Sequence, residues 1–166
     1  MGDTLGTLFT CTTYGTWLRG DQCGWVTDGI VMPSDPVLEA RDRELLKYEP
    51  FRFPKDDLLR VGQMIGDSLR QRLKCRILAL TVQTWHMHLV VAATPHSVAS
   101  VVKCAKEAVR WGLRLNRPLW TDGYDKRFCF DIETLRTRIA YVERHNLELG
   151  WPEKPWDFIE SIATGT

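Results

Sequence analysis

At 166 residues, with 44% hydrophobic and 26% charged side chains, the chain has the size and composition of one globular domain over residues 1–166. No stretch approaches the roughly 20 apolar residues that cross a bilayer, and Met1 to Thr10 carry no basic stretch followed by an apolar run, so no membrane partner and a cytoplasmic location are expected. A net charge of +1 gives no general attraction to polyanions, and five cysteines without a CxxC pair argue against a disulfide framework.

Leu8 to Tyr14, rich in Thr, Phe and Tyr, predicts a first strand that stops at Gly15. Residues 15–54 hold repeated Gly and Pro and predict a long loop insertion in which only Val37 to Tyr48 is helical; a connection of that length suggests a functional lid. From Lys55 to Leu73, the apolar residues Leu58, Leu59, Val61, Ile65 and Leu69 recur at helical spacing. Cys75 to Val82 and Trp85 to Ala93 are short apolar runs joined by Gln83-Thr84, the pattern of two central strands in a hairpin. Ser97 is placed to cap a helix reaching about Asn116, Lys126 to Phe130 predicts a last strand, and Asp131 caps a final helix that ends at Leu149 before Gly150. The order strand, helix, strand, strand, helix, strand, helix predicts an α+β fold: a ferredoxin-like split β-α-β antiparallel sheet with an added C-terminal helix carrying Tyr141.

His86 and His88 alternate on a predicted strand, so both imidazoles project from one face, while Met87, Leu89 and Val91 project from the other. Two such imidazoles either hydrogen-bond within the sheet or share a metal ion. On the final helix, Ile132, Leu135, Ile139, Val142 and Leu149 form one apolar arc, and Tyr141 and His145 sit together on its flank, one turn apart. With His145 as third ligand beside His86 and His88, three nitrogens hold a divalent ion and leave room for substrate oxygens, with the Tyr141 hydroxyl nearby. That set suits phosphoryl transfer: attack by Tyr141 gives a covalent 5′-phosphotyrosine and a free 3′-hydroxyl, and reversal rejoins the strand. Tyr14 has no histidine one turn away and is a poorer nucleophile.

Lys103, Lys106, Arg110, Arg114 and Arg117 follow steps of three and four, against Glu107 alone, and predict a basic stripe that either tracks a phosphate backbone or is simply solvated. Arg138, one turn before Tyr141, is placed to meet the scissile phosphate; Arg19 and Lys126 are weaker candidates. Trp111 and Trp120 flank the stripe and either stack on bases or pack in the core, and Trp17 and Trp25 in the glycine-rich segment either fold over a DNA hairpin or cap the sheet edge.

The run His86-Met87-His88 followed by Leu89, Val90 and Val91, with Tyr141 on a later helix, resembles the HUH single-tyrosine transposases. The segment from Phe9 to Asp21 with Gly24, Trp25 and Val26, together with Pro118 to Trp120, Gly150 to Pro152 and Trp156 to Phe158, is similar to their REP-associated tyrosine transposase-like branch over most of residues 8–158. The resemblance implies a metal-dependent endonuclease and strand transferase, using Mg²⁺ or Mn²⁺ and acting on single-stranded or hairpin DNA. It also implies a third metal ligand one turn after the tyrosine, where His145 stands. The chain departs from the family in having Thr84-Trp85 where Pro-Asn usually precedes the first histidine, and in carrying the Asn-Pro that follows the tyrosine as Asn146-Leu147, displaced by one residue. Three imidazoles also make a softer donor set than is usual for Mg²⁺, which shifts preference toward Mn²⁺, with Co²⁺ or Zn²⁺ able to bind. Members include monomers and dimers that exchange the tyrosine helix, so a homodimer is open. The competing readings are a domesticated descendant that binds hairpin DNA without cutting, and a small metal hydrolase that does not use the tyrosine.

Overall fold

A four-stranded antiparallel sheet organises the protein, with strand order β4-β5-β1-β6. Its strands are β1 (Gly6–Thr12), β4 (Ile77–Val82), β5 (His86–Ala92) and β6 (Asp125–Cys129). The computed structural model describes residues 3–162; residues 1, 2 and 163–166 of the expected single domain lie outside the described residues. The central strand β1 pairs with β5 on one side and with β6 on the other, which is the ferredoxin-like arrangement expected from the element order.

Two helices, α2 (Leu58–Leu73) and α3 (Val98–Leu113), cover one face of this sheet. Val61, Ile65 and Leu69 of α2 and Val101, Ala105 and Val109 of α3 meet the odd-numbered residues of β5, Met87, Leu89 and Val91, in the main core. Each helix begins and ends where local chemistry allows. The Ser97 hydroxyl accepts from the Ser100 amide at 3.2 Å to cap α3, and Lys74 and Arg114 adopt left-handed backbone where α2 and α3 stop.

The other face is covered by α4 (Ile132–Glu148), whose Leu135, Ile139 and Val142 pack on Leu8, Leu78 and Val90. The Asp131 carboxylate accepts from the Thr134 amide at 2.8 Å and fixes the start of this helix. Ile132, expected on the apolar arc, is exposed instead, because the arc makes contact only from Leu135 onward.

Residues 15–54 do form a long insertion, but with more order than expected. A hairpin of β2 (Trp25–Thr27) and β3 (Ile30–Met32) precedes α1 (Pro36–Glu44), which is shorter than the Val37 to Tyr48 helix expected. The hairpin was legible in Val26-Thr27-Asp28-Gly29-Ile30-Val31, because Asp-Gly between β-branched residues is a two-residue turn signal; Asp28 and Gly29 both have positive φ. The insertion returns to its starting point, where the Phe51 amide donates to the Tyr14 carbonyl and the Phe53 amide to the Thr84 carbonyl.

After α4 the chain crosses back over the edge of β4. The Asn146 amide group donates to the carbonyls of Leu80 and Glu153, and the tail lays Trp156 and Phe158 on α2 at Gly62 and Gly66. A β-carbon at either glycine would overlap an aromatic ring, so this pair makes the groove that seats the tail. We expect Gly66→Ala to lower stability by about 1–3 kcal/mol through overpacking against Phe158. Urea unfolding of the two proteins measures this, and an unchanged midpoint would refute the groove's role.

Candidate functional site

The even-numbered residues of β5 face α4, and the first two of them are His86 and His88, which are 8% and 6% exposed. Val90 and Ala92, farther along the same face, are part of the core under α4. Strand alternation alone therefore sets both imidazoles beneath the tyrosine helix. Thr10 and Thr81 flank His88 on the neighbouring strands, and these small residues leave space above the sheet.

The helix completes the cluster. His145 and Tyr141 lie one turn apart on α4, and the His145 ring centre is 5.9 Å from that of His86 and 5.0 Å from that of His88. One ligand atom from each of His86, His88 and His145 falls within 4.8 Å of the other two. The Tyr141 hydroxyl is 3.5 Å from His88 Nε2, and Tyr141 is 39% exposed, so it faces both the cluster and solvent.

These donors suit a divalent ion. His88 Nδ1 lies 2.8 Å from the Thr10 hydroxyl, an outer contact that fixes the ring and leaves Nε2 for the cluster. His145 Nδ1 stands 3.7 Å from a Glu148 carboxylate oxygen, beyond hydrogen-bond distance. His86 Nδ1 is buried without a hydrogen-bond partner, a deficit that a ligand would remove. Burial, with repulsion from His145, lowers the His86 pKa to about 4; burial, with repulsion from His86 and His145, lowers that of His88 to about 3. The His145 pKa is also lowered, chiefly by burial, with Glu148 opposing the shift. All three rings are neutral at pH 7, the state in which imidazole binds a metal.

Beside Tyr141, a cleft of about 710 Å³ opens over the half of the sheet that α4 leaves uncovered. Arg138 lines it one turn before Tyr141, with its Nε buried and unpartnered. Leaving such a donor unsatisfied costs about 1–3 kcal/mol. The 121–124 turn, β6 and the β2–β3 arm form the remaining walls.

The residues expected to bind nucleic acid are divided by the fold. The helix α3 lies on the sheet face opposite the histidines. Lys106 and Arg117 depart from the expected stripe because both are engaged within the fold. The Lys106 ammonium donates to the carbonyls of Thr121 and Gly123 at 2.9 and 2.7 Å, while Arg117 donates to the Glu49 carbonyl and sits over the rings of Tyr14, Tyr48 and Phe51. Lys103, Arg110 and Arg114 stay exposed on the outer side. Arg19 lines the cleft but forms a two-point ion pair with Asp42, and Lys126 alternates onto the opposite face of the sheet.

Among the aromatic residues, Trp120 is partly buried against the main core and its indole donates to the Lys106 carbonyl, while Trp111 is 63% exposed. The Tyr14 hydroxyl accepts from the Lys47 amide and has a structural place. Thr10 was missed because nothing in its own neighbourhood marks it; only strand register sets it beside His88.

No protein-family model matches the sequence, and no curated protein is significantly similar to it. Among solved structures, the chain is similar to a REP-associated tyrosine transposase bound to a REP hairpin. That likeness has a TM-score of 0.52 at 14% identity and covers 94% of this chain and 76% of the other. A candidate transposase from Deinococcus radiodurans R1 also matches, with a TM-score of 0.44 at 16% identity over 86% of this chain and 91% of that one. The first likeness establishes a shared fold.

The buried histidines make the metal-free chain acid-sensitive. Their folded pKa values, about 4 and about 3, lie below the ordinary value of 6.5, so the unfolded chain binds more protons between those limits. Stability present above pH 6.5 is therefore lost as the pH falls toward 4. With chelator present, Tm drops across that window, and His88→Gln reduces the drop; a Tm independent of pH there would contradict the placement of both rings. If the three histidines hold a divalent ion, Mn²⁺ at about 100 times its Kd should add about 2.7 kcal/mol at pH 7, read as a raised Tm that His145→Ala diminishes.

Proposed function

We propose that this protein is a metal-dependent endonuclease and strand transferase for single-stranded DNA, of the transposase kind, with Tyr141 as nucleophile and His86, His88 and His145 as metal ligands. The observation that carries this reading is the convergence of a half-exposed tyrosine hydroxyl and three neutral imidazoles from two separate elements, beside a cleft with an unpartnered arginine. The fold likeness supports it, since that neighbour is a REP-associated tyrosine transposase holding a REP hairpin.

Mg²⁺ or Mn²⁺ held by the three histidines supplies Lewis-acid withdrawal of charge from the scissile phosphate. The protein's own groups do the rest. Arg138, which lines the cleft one turn from Tyr141, binds a non-bridging phosphate oxygen through its guanidinium group and holds the phosphodiester there. The Tyr141 oxygen attacks phosphorus and loses its proton to solvent; the bond from phosphorus to the 3′ oxygen breaks, and that oxygen takes up a proton. One phosphate ester replaces another, so the reverse attack by a 3′-hydroxyl rejoins strands without nucleotide hydrolysis.

Thr121 and Asp122 line both this cleft and a groove containing Lys106, Arg110 and Arg117, which supports a DNA flank passing round the turn to the exposed cations Lys103, Arg110 and Arg114. Their role is backbone attraction, sensitive to salt.

Incubating the protein with Mn²⁺ and a labelled oligonucleotide that contains a hairpin should give a covalent adduct stable to denaturing electrophoresis. Tyr141→Phe should abolish the adduct with binding retained; unchanged cleavage in that variant would overturn the assignment. Arg138→Ala should slow cleavage about 10- to 100-fold, as expected for loss of a charged hydrogen bond. His96 lines a separate cavity with Phe9 and Val101 on the opposite face, so His145→Ala should impair metal-dependent cleavage far more than His96→Ala. Binding without cleavage by any of several divalent ions would point instead to a DNA-binding protein that has lost catalysis.

A further inference from the structure

Two histidines share one face of β5, and they are restrained by different means. The Thr10 hydroxyl lies 2.8 Å from His88 Nδ1, whereas His86 Nδ1 is buried with no hydrogen-bond partner. What the His86 ring meets is an indole. The ring centres of Trp85 and His86 are 4.0 Å apart with the planes tilted by 54°, closer than His86 comes to the rings of His88, at 4.8 Å, or His145, at 5.9 Å.

The indole is carried on anchored backbone. Trp85 belongs to the turn between β4 and β5, in which the Gln83 amide donates to the His86 carbonyl at 2.8 Å. The Trp85 carbonyl accepts from the Thr13 amide at 2.8 Å and from the Thr13 hydroxyl at 3.1 Å, and Thr13 is wholly buried. The adjoining Thr84 carbonyl accepts from the Phe53 amide at 2.7 Å. Both ends of the long insertion are therefore fastened to this one turn, and a loop tip, ordinarily among the most mobile parts of a fold, is fixed.

We propose that Trp85 is the positioning residue for His86: by packing on the imidazole, the indole holds its rotamer, as the Thr10 hydrogen bond does for His88. The inference rests on the reading of His86, His88 and His145 as metal ligands and concerns how one of them is aimed.

A ligand side chain that turns freely must be ordered when an ion binds, and that ordering weakens the affinity. An ion shared by His86 and His88 depends on both rings keeping their mutual setting, an angle of 70° between planes. Packing against a ring restrains its rotation without engaging a nitrogen, so both His86 nitrogens stay available to a ligand. Trp85 has little other employment. It is 37% exposed and belongs to neither core cluster, so its replacement removes the contact with His86 without opening the core.

The test measures Mn²⁺ affinity of the full chain from the electron paramagnetic resonance signal of the free ion. Trp85→Ala should weaken binding about tenfold or more, the loss usual when an outer partner of a metal ligand is removed. Trp85→Phe, which keeps a ring against His86, should recover most of it. In a His86→Ala background, Trp85→Ala should cost nothing further, because the group it acts through is gone. Affinity unchanged in Trp85→Ala, equal losses in the two Trp85 variants, or a loss that persists in full without His86 would overturn the assignment. Carbon-13 relaxation of the His86 ring in the metal-free chain reads the same restraint with no ion present. The ring should be rigid in the wild type and in Trp85→Phe and mobile in Trp85→Ala; equal order in all three would overturn the assignment. Failure of the wild-type chain to bind Mn²⁺ would remove the metal reading, and the relaxation measurement would still decide whether Trp85 holds the ring.

Discussion

Two imidazoles on β5 are almost wholly withdrawn from water, and the rest of the site follows from that burial. Desolvation disfavours the imidazolium, so both rings are neutral and each needs a partner for its nitrogens. Thr10 supplies one partner from the adjacent strand. His88 Nε2 meets the Tyr141 hydroxyl of α4, and the same helix provides His145 one turn later. The helix that buries the histidines is thus the helix that brings Tyr141, which ties closure of the core to assembly of the cluster.

That arrangement requires a rigid strand beneath it. On the far side of β5, Met87, Leu89 and Val91 are sealed under α2 and α3, so the alternation of the strand has no freedom to slip by one residue without exposing three core side chains and burying two histidines among them. Asn146 and the tail that seats on α2 hold the end of α4 against β4. Onto this plate the chain adds two irregular pieces, the β2–β3 arm and the 121–124 turn, and both border the cleft. Regular structure positions the reactive groups, and loops shape what they meet.

The cations show the limits of periodicity. Spacing groups Lys103, Arg110 and Arg114 on the outward side of α3, because 3.6 residues per turn is a local property. It carries no information on which side of the sheet that helix packs, nor on the carbonyls of Thr121 and Gly123 that Lys106 meets fifteen and seventeen residues later. Arg138 differs because it shares α4 with Tyr141, and intrahelical spacing was enough to put both on the same cleft.

The sequence by itself determined the element order, the shared face of His86 and His88, and the one-turn spacing of Tyr141 and His145, since each is set by backbone periodicity within a single element. It also carried, in Asp28-Gly29, the sign of a hairpin in the insertion. Only the tertiary structure decided that ligand atoms of His86, His88 and His145 converge within 4.8 Å, that Thr10 orients His88, that the α3 cations lie behind the sheet, and that Trp17 and Trp25 wall a cleft at Tyr141. The physical reason is that these depend on strand register and on which face each helix covers. Both are settled by the burial of apolar surface across the whole chain, and neither is written in the neighbourhood of the residues concerned.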